Sequence, residues 1–253
     1  MDAVLILLIL LIMSFAGMVQ AAVGFGAGMI AIPLLIWAGL DLPAAIGLMA
    51  AGTFGQLTVK VVRYRKQIDW KLVLWPMMAG RILGYVPGFI ALWWLAGSTT
   101  MVVKQVVGGV VLLALFLQVG LRVKPRERLH EAWAWVAGFF SGLSGAAVGM
   151  GGPPTVLWVL AHDWPGHQAR QYLWASFWVL MPVYLATLLV MFGLDELKYM
   201  GLGVATLPVV MLGMAAGLWI GHRIPKRQLR WAMIGLLIVL GVVSIVGPMV
   251  GGG

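Results

Sequence analysis

The chain has 253 residues, of which 62% are hydrophobic and only 10% are charged. Soluble domains carry about 25% charged residues, so this composition excludes a soluble fold and indicates an integral membrane protein. The formal net charge of +9 does not indicate nucleic-acid binding, because the sequence contains no soluble domain that would carry a basic surface.

Three clusters of basic residues between apolar segments indicate which loops are cytoplasmic, since short cytoplasmic loops accumulate Lys and Arg. These loops fix the direction in which each apolar segment crosses the bilayer. The clusters hold 13 of the 17 Lys and Arg residues: Lys60, Arg63, Arg65, Lys66 and Lys71; Arg122, Lys124, Arg126 and Arg128; Arg223, Lys226, Arg227 and Arg230.

Residues 2–40 predict a helical hairpin that begins on the outer side of the membrane. No basic residue precedes the apolar stretch 3–15, which favours a retained span over a cleaved signal peptide. The cluster Gly24-Phe25-Gly26-Ala27-Gly28 interrupts the apolar run, and Asp41-Leu42-Pro43 ends it. The length is compatible with a re-entrant hairpin or with two nearly complete spans.

Three predicted spans follow this hairpin, at residues 43–60, 72–95 and 101–121. The turn at residues 97–100 lies on the outer side, because the spans that flank it both lead to basic loops. The hairpin and these spans form a first repeat, residues 1–123. A cytoplasmic linker, residues 124–130, follows it.

Residues 131–161 predict a second hairpin. Both ends of this stretch adjoin cytoplasmic loops, so it crosses the membrane an even number of times. Its 31 residues are too long for one helical crossing of about 30 Å and too short for two. The centre, GLSGAAVGMGGPP, is the kind of Gly and Pro cluster that interrupts a helix. Predicted spans at 171–192, 198–221 and 231–250 complete a second repeat, residues 131–253.

The two halves are similar in sequence pattern and opposite in orientation. Each has a Gly-rich cluster, then an Asp-x-Pro turn, and later a helix with regularly spaced glycines. Because each hairpin returns to its own side, the first repeat starts outside and the second inside, with both termini periplasmic. The sequence thus predicts an all-α polytopic membrane protein of two inverted-topology repeats, each a broken or re-entrant hairpin plus three transmembrane helices. Secondary transporters often have this architecture, with the substrate site between the repeats.

The Gly clusters of the hairpins favour a binding site. Unwound backbone at membrane depth is tolerated where it lines a cavity, and a helix that begins there directs free N–H groups and a positive dipole end inward. Two such ends facing each other would favour an anion. Close packing between helices is the alternative, and it is our interpretation of the other spaced glycines: Gly80 and Gly84, and Gly213, Gly217 and Gly221.

Arg81 is the ionisable residue that lies deepest in a predicted span. An intramembrane charge is a functional candidate, and a guanidinium matches the oxygens of sulfonate, sulfate or carboxylate. Capping of backbone carbonyls or snorkelling is the alternative, and snorkelling is the interpretation for Lys104. None of the eight carboxylates lies within an apolar segment.

Further polar residues are candidates for contacts with a substrate. Arg170 gathers with His162 and His167 at the inner mouth, where they attract an anion or simply form a solvated loop. Four side chains on the helices after the hairpins are possible hydrogen-bond donors to a substrate or between helices: Thr53, Gln56, Gln171 and Ser176.

Two segments, GFGAGMIAIPLL near the N-terminus and GLSGAAVGMGGPPTVLWVL after the central basic loop, resemble the sulfite exporter TauE/SafE family, also called the toluene sulfonate uptake permeases. The resemblance spans the whole chain. It implies a bacterial inner-membrane permease for small organosulfur anions such as sulfite, sulfoacetate or sulfonates. By position, it implies a site formed by Gly24, Gly26, Gly28, Pro33, Gly149, Gly151, Gly152 and Pro153.

Two other functions are compatible with single features of the sequence. Gly142-Leu143-Ser144-Gly145 matches the GxSG of rhomboid proteases, but all four histidines lie at predicted membrane ends. A cation carrier or channel is the second alternative. Such proteins usually need buried carboxylates, and none of the eight carboxylates of this chain lies within an apolar segment. We expect no enzyme activity, cofactor or metal site. A coupling ion, H⁺ or Na⁺, and a homodimer are both compatible with the sequence.

Overall fold

The structure is a computed structural model that describes residues 2–23, 26–120, 125, 126 and 129–250. The described residues form α-helices joined by short loops, which confirms the predicted all-α polytopic class. In chain order the helices are α1 (Ala3–Val23), α2 (Ala27–Trp37), α3 (Leu42–Tyr64), α4 (Trp70–Leu74), α5 (Met77–Ala96), α6 (Thr100–Gly120), α7 (Glu131–Val148), α8 (Gly152–Leu160), α9 (Gly166–Trp178), α10 (Met181–Phe192), α11 (Glu196–Ala205), α12 (Leu207–Arg223) and α13 (Lys226–Val250).

Within the described part of the chain, six segments are long and apolar enough to cross a membrane. A seventh forms if α11 and α12, which meet at an angle of 46°, count as one broken span. The six are Ala3–Ala22, Leu42–Tyr64, Trp70–Ala96, Thr100–Gly120, Gly166–Phe192 and Trp231–Met249.

The first hairpin consists of a long helix and a short one. The 21 residues of α1 extend about 31 Å, whereas the 11 residues of α2 extend only about 16 Å, so α2 is too short to cross a bilayer. Gly26, just before α2, has a φ of 97°, a left-handed conformation that glycine adopts without strain. Because α2 is apolar on all sides, it lies in the centre of the molecule, with Ile30 and Leu35 fully buried.

The second hairpin repeats this arrangement. The 18 residues of α7 are followed by a break at Gly149, whose φ is 70°, and then by the nine residues of α8. The N–H of Arg126 donates to the carbonyl of Ala161 at 2.9 Å. The segment that precedes this hairpin and the segment that leaves it therefore lie side by side.

Three of the predicted spans are interrupted rather than continuous. The helix is broken at Pro76 in the region predicted as 72–95, at Leu180 in the region predicted as 171–192, and at Thr206 in the region predicted as 198–221. A proline stands at or just after each interruption, where it lacks the N–H that a continuous helix would use.

Spaced glycines bring helices from the two halves into contact. Gly80 and Gly84 of α5 lie directly on the Trp135 and Phe139 carbonyls of α7. In the same way, Gly213 and Gly217 of α12 lie directly on carbonyls of α1, those of Ser14 and Met18. The interpretation of these glycines as close-packing residues is confirmed, since a side chain at any of them would occupy space that the neighbouring backbone already fills.

The loops lie on two faces of the molecule, one with the basic residues Lys60, Arg65 and Lys71 and the other with the acidic residues Asp41, Asp195 and Glu196. On what we term the basic face, the Gln171 amide donates to Gln67 at 2.9 Å and so joins the end of α3 to the start of α9. On the acidic face, Glu196 reaches Gly47 near the start of α3. Lys104, near the turn at residues 97–100, lies over the Trp37 ring, with Nζ 3.9 Å from the ring centre.

Candidate functional site

A cavity of about 500 Å³ lies where the two hairpins meet. Its walls come from both halves of the chain, and they are mostly apolar with a few polar and charged side chains. Of the residues singled out in the sequence, nine line it: Gly26, Gly28, Thr53, Arg81, Gly149, Gly151, Gly152, Pro153 and Arg170.

The breaks of the two hairpins touch each other at this cavity. A side-chain carbon at Gly28, in the first turn of α2, would stand 2.9 Å from the carbonyl oxygen of Gly149. Neither α2 nor α8 has a side-chain hydrogen bond to cap its N-terminus. The N–H groups in the first turn of α2 are thus available to a ligand, whereas Pro153 and Pro154 have no N–H and leave Gly152 as the donor at the start of α8. Both positive dipole ends lie at the cavity wall.

Arg81 of α5 is the buried cation of the cavity, with 2% of its surface exposed. Its Nη2 donates to Thr155 Oγ1 at 2.8 Å, and its Nη1 donates to the carbonyl of Ser176. The guanidinium also lies against the Phe177 ring, with Cζ 4.6 Å from the ring centre. Among the described residues, its Nε has no hydrogen-bond partner.

A chain of hydroxyl groups connects Arg81 to the break of the second hairpin. Thr155, which accepts from the guanidinium, donates to Ser141 Oγ at 2.9 Å, and Ser141 donates to the Gly151 carbonyl at 2.7 Å. Sequence reasoning missed both hydroxyl residues. The available signal was that each is a polar residue within one to three turns of the Gly cluster in an otherwise apolar helix.

The charges around the cavity are all positive. Lys60, near the end of α3, and Arg170, near the start of α9, line it together with Arg81. No carboxylate is among its lining residues in the part of the chain that the structure describes. Since Lys60 and Arg170 belong to helix ends on the basic face, the cavity extends from the hairpin breaks toward that face.

Aromatic side chains line the cavity on the side nearer the acidic face. The ring centres of Tyr85 and Tyr184 are 5.6 Å apart, and Phe89, one turn further along α5, packs on both. The Tyr184 hydroxyl donates to the Gly145 carbonyl of α7 at 2.9 Å. No sequence pattern distinguished these three residues from ordinary core aromatics.

The remaining residues singled out in the sequence lie elsewhere. Pro33 is buried inside α2, and Gln56 of α3 does not line the cavity. Gln171 borders a separate depression of about 390 Å³ on the basic face. Ser176 is buried, but its hydroxyl donates to the Leu173 carbonyl at 3.1 Å and only its own carbonyl meets Arg81. Gly24 lies outside the described residues.

Two residues considered for other roles are occupied by structural contacts. Ser144 donates to the carbonyls of Phe140, at 2.7 Å, and Met150, at 3.1 Å, and not to a general base. His162 packs against Trp158 and Trp164 on the basic face, with its ring centre 4.2 and 4.3 Å from theirs. Burial lowers the pKa of His162, although its hydrogen bond to the Trp158 carbonyl opposes this, so the imidazole is neutral at pH values near 7.

Comparison with known proteins places the chain in a family. Residues 9–244 match the family model described as sulfite exporter TauE/SafE, and this segment includes both hairpin breaks and Arg81. No curated protein and no solved structure gives a significant match. Members of the matched family are transporters and not enzymes. The chain therefore belongs to the sulfite exporter TauE/SafE family of membrane transporters, as its glycine motifs had indicated.

Proposed function

We propose that this protein is a secondary transporter that carries small organosulfur anions, such as sulfite, sulfoacetate or other sulfonates, across the bacterial inner membrane. One observation carries the proposal above the others. Arg81 is buried at the junction of the hairpins, its Nε is unpaired, and no carboxylate neutralises it among the described residues. An isolated charge is costly to bury, and a bound anion would remove that cost.

The shape of the site favours an oxyanion. A guanidinium presents its donors in one plane and so matches two oxygens of a sulfonate or a carboxylate. The free N–H groups in the first turn of α2, and that of Gly152 in α8, would contribute further donors to such a group at the same cavity. Lys60 and Arg170 would raise the local concentration of anions at the mouth on the basic face.

Alternating access is the mechanism that this arrangement supports best. Helix α1 packs on α12 just as α7 packs on α5, which is the pairing expected if the two halves are inverted repeats. In the state described, the cavity extends toward the basic face, while Tyr85, Phe89 and Tyr184 pack together on the other side. We infer that rocking of one repeat against the other would move this aromatic contact apart and open the second face.

The proposal is tested by ligand-dependent thermal stability of the purified protein, since a ligand that binds only the native state raises the unfolding temperature. We expect sulfite, sulfoacetate or an alkyl sulfonate to stabilise the protein. The effect should disappear in Arg81→Gln, which removes the charge from the site. Lys104→Gln is the matched control, because it removes a partly buried cation that lies over Trp37 and outside the cavity.

The same measurement separates the alternatives. Stabilisation by a monovalent or divalent cation alone would overturn the anion proposal and favour a cation carrier. Anion stabilisation that persists in Arg81→Gln would place the anion elsewhere. Uptake of a labelled sulfonate into proteoliposomes, lost in Arg81→Gln and kept in Lys104→Gln, would extend the result from binding to transport.

A further inference from the structure

Glu196 is a buried carboxyl group that the proposed anion site does not use. It is the first residue of α11, and only 7% of its surface is exposed, although it lies in a turn that the sequence places outside the membrane. Its Oε2 is buried without a hydrogen-bond partner among the described residues. The adjacent Asp195, by contrast, is exposed.

The carboxyl group is held against the backbone of α3. Its Oε2 is 3.6 Å from the position that a side-chain carbon would take at Gly47, and Met200 of the next turn packs against the same glycine. These are ordinary van der Waals contacts, so the carboxyl group and Met200 pack directly on the glycine. The contact therefore depends on α3 and α11 being close together, as they are in the state described.

The charged groups around Glu196 do not neutralise it. Asp41, Asp195 and Lys198 are the groups that interact with it electrostatically. The Asp41 carboxylate accepts the Ala44 N–H at 2.8 Å and so caps α3. Lys198 is exposed and lies over the Tyr199 ring, 5.0 Å from its centre. Helix α10, which also packs on α11, contains no charged residue, and α12 has its ionisable residues, His222 and Arg223, at the end that is far from α11.

These surroundings favour the neutral acid. Burial of an unpaired carboxylate beside a second acidic group is costly, whereas burial of a protonated carboxyl group costs far less. A conformation in which Glu196 faced water would remove this extra cost of the charged form. The buried and the hydrated conformations therefore bind a proton with different affinities, and the proton concentration shifts the balance between them.

Helix α3 connects this group to the cavity. Ile46 and Met49, one and two residues from Gly47 along α3, line the cavity wall. We propose that Glu196 is a proton-binding site by which the pH on the acidic face controls whether the cavity is open to the basic face. The role in transport rests on the proposed function, whereas proton binding at Glu196 does not.

The test uses the fact that the chain contains no cysteine. A single reporter, Thr53→Cys, places a thiol in the cavity wall. In proteoliposomes, a charged, membrane-impermeant thiol reagent is added on the basic face at constant pH while the pH on the acidic face is varied. We expect the labelling rate to fall as that pH rises, by up to about tenfold per pH unit for one linked proton.

Two further variants in the same background identify the proton site. Glu196→Gln should label rapidly at every pH, because the neutral amide resembles the protonated acid. Asp195→Asn should show the same dependence of the labelling rate on pH as the protein that carries only Thr53→Cys. A reporter that does not respond to pH, or a Glu196→Gln variant that responds like the parent, would overturn the proposal.

Asp41→Asn provides a second measurement in case Glu196→Gln does not fold. Asparagine still caps a helix, but it removes the negative charge beside Glu196. We expect the midpoint of the pH response to move to lower pH, and an unchanged midpoint would contradict the proposal. Since labelling needs no substrate, a pH response without any stabilisation by anions would support the proton site and reject the anion transporter.

Discussion

Arg81 contacts Thr155 through a side chain and Ser176 through the main chain. This difference decides which substitutions matter. Replacement of the serine hydroxyl leaves the carbonyl in place, whereas replacement of the threonine hydroxyl removes an acceptor from a buried cation. Sequence reasoning selected Ser176 because of its hydroxyl and did not select Thr155, so the structure changes the expected importance of the two residues.

We expect Thr155→Val to weaken anion binding by about tenfold. Valine has the shape of threonine, but it removes the acceptor that orients Nη2 of Arg81, so the anion must bind a guanidinium that is no longer held in place. A hydrogen bond to a charged group contributes about 1.5–3 kcal/mol, and about 1.4 kcal/mol corresponds to a tenfold change in affinity. Ser176→Ala should bind the anion with an affinity within a factor of about two of the parent, because the Ser176 hydroxyl does not contact Arg81. A factor of two corresponds to about 0.4 kcal/mol of binding free energy. Calorimetric titration of both variants with a sulfonate measures the two affinities. Equal losses in the two variants would show that the hydroxyl chain has no specific role.

At the scale of helices, the fold depends on backbone contacts that only glycine permits. Gly84 lies on the Phe139 carbonyl, whereas Gly109, in the middle of α6, has no atom of another residue within 4 Å of an added side-chain carbon. Both are helical glycines in apolar segments. The spacing of Gly80 and Gly84 indicated a packing role in the sequence, whereas the helix on which they pack is known only from the structure.

We expect Gly84→Ala to destabilise the protein and Gly109→Ala not to do so. An added methyl group at Gly84 must push α5 away from α7, and overpacking of this kind costs about 1–3 kcal/mol. At Gly109 the methyl group meets open space, and alanine favours a helix over glycine by about 1 kcal/mol. Thermal unfolding in detergent measures both. A Gly109→Ala variant as unstable as Gly84→Ala would contradict the assignment of α5 and α7 as the close contact.

At the scale of the whole molecule, charge determines orientation. Among the described residues, Lys60, Arg65, Lys71 and Arg170 lie toward one face, and the acidic residues Asp41, Asp195 and Glu196 lie toward the other. We expect the basic face to be cytoplasmic and both termini to be periplasmic. Alkaline phosphatase fused after residue 250 should be active in cells, and a fluorescent protein fused there should be dark. The opposite result would reverse the orientation and with it the direction in which the cavity opens.

The sequence by itself determined the class of protein and the two hairpin breaks, and it predicts the order of the crossings. Composition excludes a soluble fold, and basic loops set orientation, because both depend on the transfer of residues between water and lipid. The Gly clusters at residues 24–28 and 149–152 marked the breaks, since a helix stops where glycine and proline are concentrated. Arg81 was identifiable for the same reason: a charge in an apolar segment needs an explanation.

The tertiary structure decided which residues meet. It joined Gly28 to Gly149 and extended the contacts of Arg81 through Thr155 to Ser141, although these residues are far apart in the chain. It also buried Glu196, which its position in a polar turn had placed in water. Periodicity and charge describe how each segment interacts with its solvent. Contacts between segments depend on how close two backbones approach, and that distance is set by the packing of the whole molecule.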